Sequence, residues 1–441
     1  MQRAITLFEH ETAPFDWSDR HLIQLEQLRT TVGSDVLRAT TRHGQRVLQA
    51  TQYVGIVRMG RETIQILPKI YRSDTSADPQ SRERAATRNL LHMLVYAGQI
   101  DIREQELAAL MQRDTDWFET LTRIFATHLA KEWQRGPTRS YQVLEDDLTI
   151  LKGTWRISQQ IRRPDRRHMF AVAYDEFTID NQLNRILRYV VECLWRQTRD
   201  HNNRRMLGNL RQWMESVTLL PAVRALDAPP ELITRLNQRY KPLLNLARLF
   251  LGVGGFQLAM GDADHFTLVF DMNLLFEAFI AGFIGRHRAH VLPSALQDCN
   301  LLVQTRGATR YLARIEGTGV FLLKPDLAFQ QGTTFVLLLD TKYKTLDTRV
   351  RNLGVSQADV YQMFAYAQRY DAAKVLLLYP QHETMTVPLR RIFQLEGTTD
   401  RQIVVATLNI RVDLAKKDDR ACLIRELYET LYQEIAPWPQ Q

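Results

Sequence analysis

The sequence is poor in cysteine and contains no long apolar run. Its three cysteines, Cys193, Cys299 and Cys422, are far apart and form no CxxC pair, which argues against a disulfide framework and against a cysteine zinc site. No segment approaches the roughly 20 apolar residues that span a bilayer, and the N-terminal segment carries acids where a secretory signal has an apolar core. We therefore expect a cytoplasmic protein that makes no contact with membranes.

A phosphate-binding loop of the form GxxxxGK[ST] is also missing. The nearest candidate, GVGG at 252–255, lacks the lysine and the Ser or Thr that would hold nucleotide phosphates and Mg²⁺. This chain is therefore expected to bind no nucleotide itself, so that any nucleotide-driven movement has to come from a partner chain.

The composition is that of a globular protein with a moderate excess of positive charge. Of the 441 residues, 45% are hydrophobic and 24% are charged, which allows about two or three domains with real cores. Lys and Arg number 57 and Asp and Glu 49, a net charge of +8 that favours contact with a polyanion; a basic protein without a polyanionic partner is the equally weighted alternative. The densest basic clusters, at 162–168 and 199–211, predict phosphate contacts; solvated helix faces are an equally weighted alternative.

The chain changes character along its length. Alternation and turn residues predict two short strands around Gly60 within 54–70, and helical spacing predicts helices in the segments that follow. The expected elements are a polar loop at 71–88, helices at 89–98 and 116–136, and mostly helix from about 178 to 250. We therefore predict a β-rich N-terminal domain at 1–165 and a helical linking region at 166–262.

In the last block, 263–441, segments with helical spacing alternate with segments whose apolar pattern is that of strands. Helix, strands, helix and strand in this order indicate an α/β fold around one mixed sheet. The predicted helices are 272–291 and 356–370, and the predicted strands are 300–305, 310–315, 319–323, 335–342, 373–380, 387–395 and 402–409.

The stretch KPDLAFQQGTTFVLLLDTKYK (324–344) places charges at the end of an apolar strand. Burying an unpaired charge costs roughly several kcal/mol, so such charges need a reason. A turn at 330–333 predicts a hairpin, and pairing symmetric about Thr333 sets Asp326 opposite Asp340, with Cβ atoms about 5 Å apart. Lys342 follows Asp340 by two residues and therefore lies on the same face.

Two carboxylates this close repel each other unless a cation lies between them. Hard oxygen ligands with room for water suit Mg²⁺, with Mn²⁺ as the alternative ion. Such an ion stabilises the charge that develops on a phosphodiester, and a neighbouring lysine positions water or stabilises the pentavalent phosphate. The competing interpretation is a surface hairpin whose Asp and Lys form an ordinary ion pair.

The pattern of Pro-Asp followed by Asp-x-Lys resembles the signature of the PD-(D/E)xK nuclease superfamily. The resemblance implies that Asp326 and Asp340 bind the metal, and that Lys342 is catalytic. Glu277, in NLLFEAFI, matches the further acid that the preceding helix often supplies; the alternative is a glutamate on the domain surface. Gln362 and Tyr366 resemble the QxxxY element of RecB-like members, which supports the site or contacts nucleic acid; for Tyr366, simple packing is the alternative.

The resemblance extends from about residue 50 to 410 and points to the McrC family, the nuclease subunit of McrBC modification-dependent restriction systems. It rests on segments that occur in the expected order: 64–70, 89–98, 135–157, 174–187, 272–280 and 359–367. It implies a C-terminal domain that cuts double-stranded DNA. It also implies an N-terminal part that docks on a McrB-like AAA+ GTPase hexamer and stimulates its GTP hydrolysis, while the partner reads the modified base.

The periodicity of the sequence and the family resemblance together predict an α/β (α+β multidomain) fold, with a PD-(D/E)xK-type mixed sheet flanked by helices at its C-terminus. The expected function is that of a Mg²⁺-dependent DNA endonuclease acting with a GTPase motor. A non-cleaving adaptor that activates the ring and clamps DNA is the alternative from another class. A self-sufficient nuclease is a third, weaker hypothesis.

Overall fold

The computed structural model describes residues 4–60, 62–72, 78–102, 107, 117–252, 265–305, 308–382, 385, 387–396 and 401–435. The strands in these ranges are β1 Ala4–Phe8, β2 Thr12–Pro14, β3 Leu37–Arg42, β4 Gln45–Ala50, β5 Tyr53–Met59, β6 Glu62–Leu67, β7 Ser140–Leu148, β8 Thr154–Trp155, β9 Phe170–Thr178, β10 His265–Asp271, β11 Asn300–Val303, β12 Arg310–Ile315, β13 Thr318–Leu323, β14 Leu327–Gln331, β15 Thr334–Thr341, β16 Lys374–Pro380, β17 Arg390–Gln394 and β18 Gln402–Leu408.

The α-helices in the same ranges are α1 Asp19–Val32, α2 Pro79–Tyr96, α3 Trp117–Gln134, α4 Ile157–Ile161, α5 Gln182–Gln197, α6 His201–Trp213, α7 Lys241–Leu251, α8 Met272–Arg286, α9 Arg288–Val291, α10 Ser294–Gln297, α11 Gln357–Tyr370 and α12 Lys417–Ile435. None of the helices in the described ranges is both long and apolar enough to cross a bilayer. The mixed α/β character predicted from the sequence is confirmed.

The chain divides into two compact units. The first combines Met1–Gln112 with Thr267–Gln441, and the second is Arg113–Phe266. The predicted segments 1–165, 166–262 and 263–441 follow chain order and do not coincide with this division, because β10 returns the chain to the N-terminal sheet. The roles expected of the three segments stay predictions.

The N-terminal sheet of the first unit has the order β1-β6-β5-β10. Strands β5 and β6 form the antiparallel pair predicted around Gly60, and β1 adds in parallel to β6. Gly55 has a φ of +144°, and a Cβ there would lie 1.9 Å from the Leu268 carbonyl oxygen on β10. Only glycine lets the two strands approach this closely. The first 50 residues, which carry no recognised motif, form β1 to β4 and α1; β2, β4 and β3 make a second sheet.

The predicted loop at 71–88 is wrong for its last ten residues. Helix α2 begins at Pro79, and the Asp78 side chain accepts hydrogen bonds from the backbone N–H groups of Gln80 and Ser81. An aspartate cap followed by proline at the first helical position is a strong start signal. The polar residues that suggested a loop lie in the first turns of this helix, ahead of its buried second half.

The C-terminal sheet has six strands in the order β11-β14-β15-β16-β18-β17. Its centre, β15-β16-β18, is parallel, and the pairs at either end are antiparallel. Helices α8, α11 and α12 contact this sheet. The predicted mixed sheet is therefore confirmed, although α12 was not predicted and the helix expected at 272–291 is interrupted at His287.

The second unit combines helices with a small sheet. The helix predicted at 116–136 is present as α3, and α5, α6 and α7 occupy the region expected to be helical. Strands β7 and β9 pair antiparallel along nine residues, with β8 on the other edge of β9. These three strands were not predicted.

Candidate active site

The hairpin of β14 and β15 brings the two predicted aspartates to facing positions. Leu327 pairs with Leu339, so Asp326 and Asp340 occupy the next positions outward. The strands close around Gly332 with Gln331 opposite Thr334, and a register shift between Phe329 and Gln330 adds one residue to β15. This bulge restores the predicted alignment, which is confirmed for the outer half of the hairpin.

Asp340 and Lys342 form an ion pair. The Asp340 side chain is only 2% exposed and its Oδ2 lies 2.7 Å from Nζ of Lys342, whose side chain is 21% exposed. The Lys342 backbone N–H donates to the Leu378 carbonyl on β16, which continues the sheet beyond the end of β15. The two side chains therefore share one face, as predicted.

Glu277 reaches the same place from helix α8. Its Oε1 accepts a hydrogen bond of 2.8 Å from the side-chain amide of Gln304, which follows β11. The backbone N–H of Gln304 in turn donates to the carbonyl oxygen of Asp326 at 2.7 Å. Helix, strand and hairpin thus meet at the three acids Glu277, Asp326 and Asp340.

The pKa values of Asp326 and Asp340 are both raised. Burial, followed by the charges of Asp340 and Glu277, raises the pKa of Asp326 to about 7. Burial also raises the pKa of Asp340, although Lys342 opposes the change. For Lys342 burial alone would lower the pKa, yet the surrounding carboxylates, Asp340 first, outweigh it and raise the pKa. The site therefore concentrates negative charge and keeps its lysine protonated.

Gln362 and Tyr366 of helix α11 continue the network from Lys342. Lys342 Nζ donates to Gln362 Oε1 at 3.0 Å, and Gln362 Nε2 donates to the Tyr366 hydroxyl at 2.8 Å. Tyr366 is also part of the buried core between α11 and the sheet. The predicted pair thus lies against the lysine, and its tyrosine packs as the alternative interpretation expected.

Sequence reasoning missed several residues of the network. Thr341 donates to Asp326, Gln304 holds Glu277, and Lys344 pairs with Asp359 at 2.7 Å. Asp359 could have been identified from the sequence. It follows the N-cap Ser356 by three residues, the spacing at which a first-turn acid accompanies a serine cap. Gln304 gave no such signal.

The donor set fits Mg²⁺ with a partly open coordination shell. Among the described residues, no group of three or more Asp, Glu, His or Cys side chains is arranged to hold a metal ion. Mg²⁺ is commonly held by one or two carboxylates, the other positions being filled by water and substrate phosphate. Asp326 and Asp340 supply such carboxylates. Burial first, and then the charges of Asp340 and Glu277, raise the pKa of Asp326, and a bound cation would offset both causes.

The two basic clusters of the second unit are partly neutralised. Arg163 and Arg166 both bind Asp147 Oδ2, at 2.9 and 2.5 Å. In the second cluster, Arg211 pairs with Glu192 Oε2 at 2.6 Å, and Arg196, just before the cluster, pairs with Oε1 of the same carboxylate at 2.9 Å. The phosphate contacts expected of these clusters stay a prediction.

Both a family model and solved structures resemble this chain. A family model described as McrBC 5-methylcytosine restriction system component matches residues 48–380. The structure is similar to a chain from the half-complex of the tetradecameric assembly of Thermococcus gammatolerans McrB AAA+ hexamers with bound McrC. The TM-score is 0.67 and the identity 23%, over 97% of this chain and 100% of that chain.

A second similar structure is a chain of the Thermococcus gammatolerans McrBC complex, with a TM-score of 0.49 and 25% identity over 65% of this chain and 88% of that chain. Comparison with curated proteins gives no match. At these identities the first likeness supports the fold.

Proposed function

Because the chain belongs to the family of McrBC 5-methylcytosine restriction system components, we propose that it is the nuclease subunit of such a system. It would cleave phosphodiester bonds of double-stranded DNA in the presence of Mg²⁺ and act with a McrB-like AAA+ GTPase hexamer. The observation that carries this proposal is the convergence of Asp326, Asp340 and Lys342 at the end of one buried hairpin.

In this proposal Asp326 and Asp340 hold the ion, Glu277 is a further ligand from helix α8, and water and substrate phosphate fill the remaining positions. Mn²⁺ is the alternative ion, since it accepts the same oxygen donors. When bound, Mg²⁺ would neutralise charge that develops on the phosphodiester and make water a better nucleophile at neutral pH. The chain's own contribution is to keep the carboxylates in place and to limit the access of bulk water to Asp340.

Lys342 acts as a cation. Its raised pKa keeps it protonated, so it is suited to stabilise negative charge on the phosphate and unsuited to remove a proton. Gln362 accepts one hydrogen of its ammonium and is held by Tyr366. In this proposal both therefore act as positioning residues for the lysine.

The partner proposal rests on the missing phosphate-binding loop and on the similar structure, which holds McrC bound to McrB AAA+ hexamers. The second unit offers apolar surface for a protein partner: Tyr141 on β7 is 71% exposed and Phe177, its cross-strand neighbour on β9, is 50% exposed. Contiguous exposed apolar surface marks interaction sites, and we propose that this pair belongs to the docking surface. A fragment ending at 165 would lack β9 and β10, so docking is best tested in the full chain.

The test uses the purified full chain with the GTPase partner and DNA carrying the modification. Asp340→Ala should abolish cleavage and leave partner binding and GTPase stimulation intact, with Asp340→Asn as the isosteric check. Tyr141→Asp combined with Phe177→Asp should abolish partner binding and GTPase stimulation, and partner-dependent cleavage should be lost with them although Asp340 and Lys342 are unchanged. Undiminished cleavage by Asp340→Ala would remove the nuclease assignment. A wild type that stimulates the ring without cutting would favour the adaptor, and cutting without the partner would favour a self-sufficient nuclease.

A further inference from the structure

Gln304 contacts two of the three acids at once. Its side-chain Nε2 donates to Glu277 Oε1 at 2.8 Å, and its backbone N–H donates to the Asp326 carbonyl at 2.7 Å. We propose that Gln304 is a positioning residue that holds the Glu277 carboxylate beside Asp326 at the metal site. This inference rests on the proposed function and assigns a role to a residue outside the nuclease signature.

The backbone at Gln304 is held in an uncommon conformation. Gln304 and Thr305 have φ angles of 52° and 48°, in the left-handed region that residues other than glycine rarely occupy. This conformation costs on the order of 1 kcal/mol per residue and persists only when its surroundings enforce it. Such conformations cluster at functional sites.

The contacts of Thr305 show what enforces the turn. Thr305 is buried, and its Oγ1 lies 3.3 Å from the Tyr370 hydroxyl, which donates to the Leu323 carbonyl at 2.9 Å. On the other side, Val303 of β11 pairs with Leu327 of β14. The backbone of Gln304 is therefore fixed between a sheet pair and a buried tyrosine of helix α11, which places its side chain within hydrogen-bond distance of Glu277.

An amide is the appropriate donor at this position. It stabilises the Glu277 carboxylate through a charge-assisted hydrogen bond and adds no positive charge that would compete with a metal ion. The bond occupies Oε1, which leaves Oε2 for a ligand. A lysine or arginine at 304 would instead neutralise the acid, as Lys342 does for Asp340.

The competing explanation is that the hydrogen bond only joins helix α8 to β11 and stabilises the fold. An exchange of the two residues separates the explanations. In Glu277→Gln with Gln304→Glu, the amide and the carboxylate change places, so the hydrogen bond survives while the carboxylate leaves position 277. If the hydrogen bond only stabilises the fold, the exchange should restore all that its loss removes. If Gln304 positions Glu277 as a metal ligand, the exchange should restore stability but not metal binding.

The experiment measures Mn²⁺ binding to the full chain by calorimetry without DNA or partner, together with Tm. Gln304→Met should weaken Mn²⁺ binding about 10-fold to 100-fold, the usual effect of removing a residue that orients a metal ligand. Gln331→Met, the same change at the exposed hairpin turn, is the matched control and should change neither quantity. The exchanged pair should recover the Tm lost in Gln304→Met but not the Mn²⁺ affinity.

Two outcomes would overturn the role of Gln304: Mn²⁺ affinity unchanged in Gln304→Met, or affinity restored by the exchange. Either outcome, combined with cleavage that depends on Asp340, would leave the proposed function standing. Cleavage that is indifferent to Asp340 would instead remove the nuclease assignment, whatever Gln304 does.

Discussion

The carboxylate of Asp326 accepts two hydrogen bonds from Thr341. The backbone N–H and the Oγ1 of Thr341 each lie 2.7 Å from Asp326 Oδ2. Since Thr341 stands between Asp340 and Lys342, this contact ties the first acid to the strand that carries the other two residues. Both bonds favour the ionised carboxylate and oppose the burial and the neighbouring charges that raise its pKa to about 7.

Thr341→Val should move the pH dependence of cleavage to higher pH. The substitution keeps the backbone bond and removes the hydroxyl bond, so ionised Asp326 loses stabilisation and its pKa rises. A hydrogen bond to a charged group is worth about 1.5–3 kcal/mol, which corresponds to a shift of roughly one pH unit or more.

The measurement is the cleavage rate against pH at a fixed subsaturating Mg²⁺ concentration. Thr341→Ser keeps the hydroxyl and should follow the wild type; a Thr341→Val profile that coincides with the wild type would contradict the idea.

Asp326→Asn should stabilise the metal-free protein at alkaline pH. Folding raises the pKa of Asp326 from 3.8 to about 7, so the folded chain binds this proton more tightly than the unfolded chain. The resulting stabilisation is fully present below about pH 4 and is lost as the pH rises through about 7. At pH 8 in EDTA, Asp326→Asn should therefore be more stable than the wild type by a free energy of unfolding on the order of 1–3 kcal/mol. The difference is measured as a higher Tm.

The same comparison contains its own controls. At pH 5 the advantage of Asp326→Asn should shrink, and Mg²⁺ should stabilise the wild type more than the variant. Asp347→Asn removes an exposed carboxylate whose pKa is held down to about 2 by hydrogen bonds from Arg349, so it should give no gain at pH 8. A metal-free Asp326→Asn protein that is less stable than the wild type at pH 8 would show that the buried carboxylate carries no such cost.

Lys342→Met should separate metal binding from cleavage. Removal of the ammonium frees Asp340 Oδ2, so Mn²⁺ affinity should be kept or increased, while cleavage should fall at least about 100-fold because one charge stabiliser is lost. Lys344→Met is the matched control two residues away. It breaks the pair between the half-exposed Lys344 and the buried Asp359 but leaves the Asp340–Lys342 ion pair intact, so it should lower cleavage far less than Lys342→Met does. An equal loss of cleavage in the two variants would contradict the role of Lys342 as a charge stabiliser.

The hairpin that carries Asp326 and Asp340 could be predicted because its information is local. Apolar strands, a glycine turn and a two-residue period lie within twenty residues, and the bulge at Phe329 left the outer register as expected. Glu277, Gln362 and Tyr366 came from the family resemblance. In the structure Gln304 links Glu277 to the backbone of Asp326, and Gln362 links Lys342 to Tyr366.

The remaining features depend on contacts between distant parts of the chain. Gln304 is 27 residues from Glu277, and its side chain reaches that acid through a left-handed turn that no local pattern specifies. Strand β7 was missed because its apolar residues Tyr141 and Val143 are exposed, so that its alternation marks no buried face. The addition of β10 to the N-terminal sheet joins positions more than 200 residues apart, which local periodicity cannot show.

Two glycines of helix α8 should respond in opposite ways to alanine. A Cβ on Gly282 would lie 1.8 Å from the carbonyl oxygen of Tyr96, at the end of helix α2, whereas a Cβ on Gly285 meets nothing within 4 Å. Gly285→Ala should therefore stabilise the protein by about 0.5–1 kcal/mol, since alanine is the better helix former. Gly282→Ala has to push two packed helices apart and should cost roughly 3 kcal/mol or more.

Urea unfolding of the full chain measures both changes, and the difference between the variants removes the effect of helix propensity. Because α8 also carries Glu277, the displacement in Gly282→Ala should weaken Mn²⁺ binding as well, while Gly285→Ala should leave it unchanged. Equal unfolding midpoints for the two variants would mean that α8 is free to move away from Tyr96. In that case the position of Glu277 would have to be set by Gln304 alone, without help from helix packing.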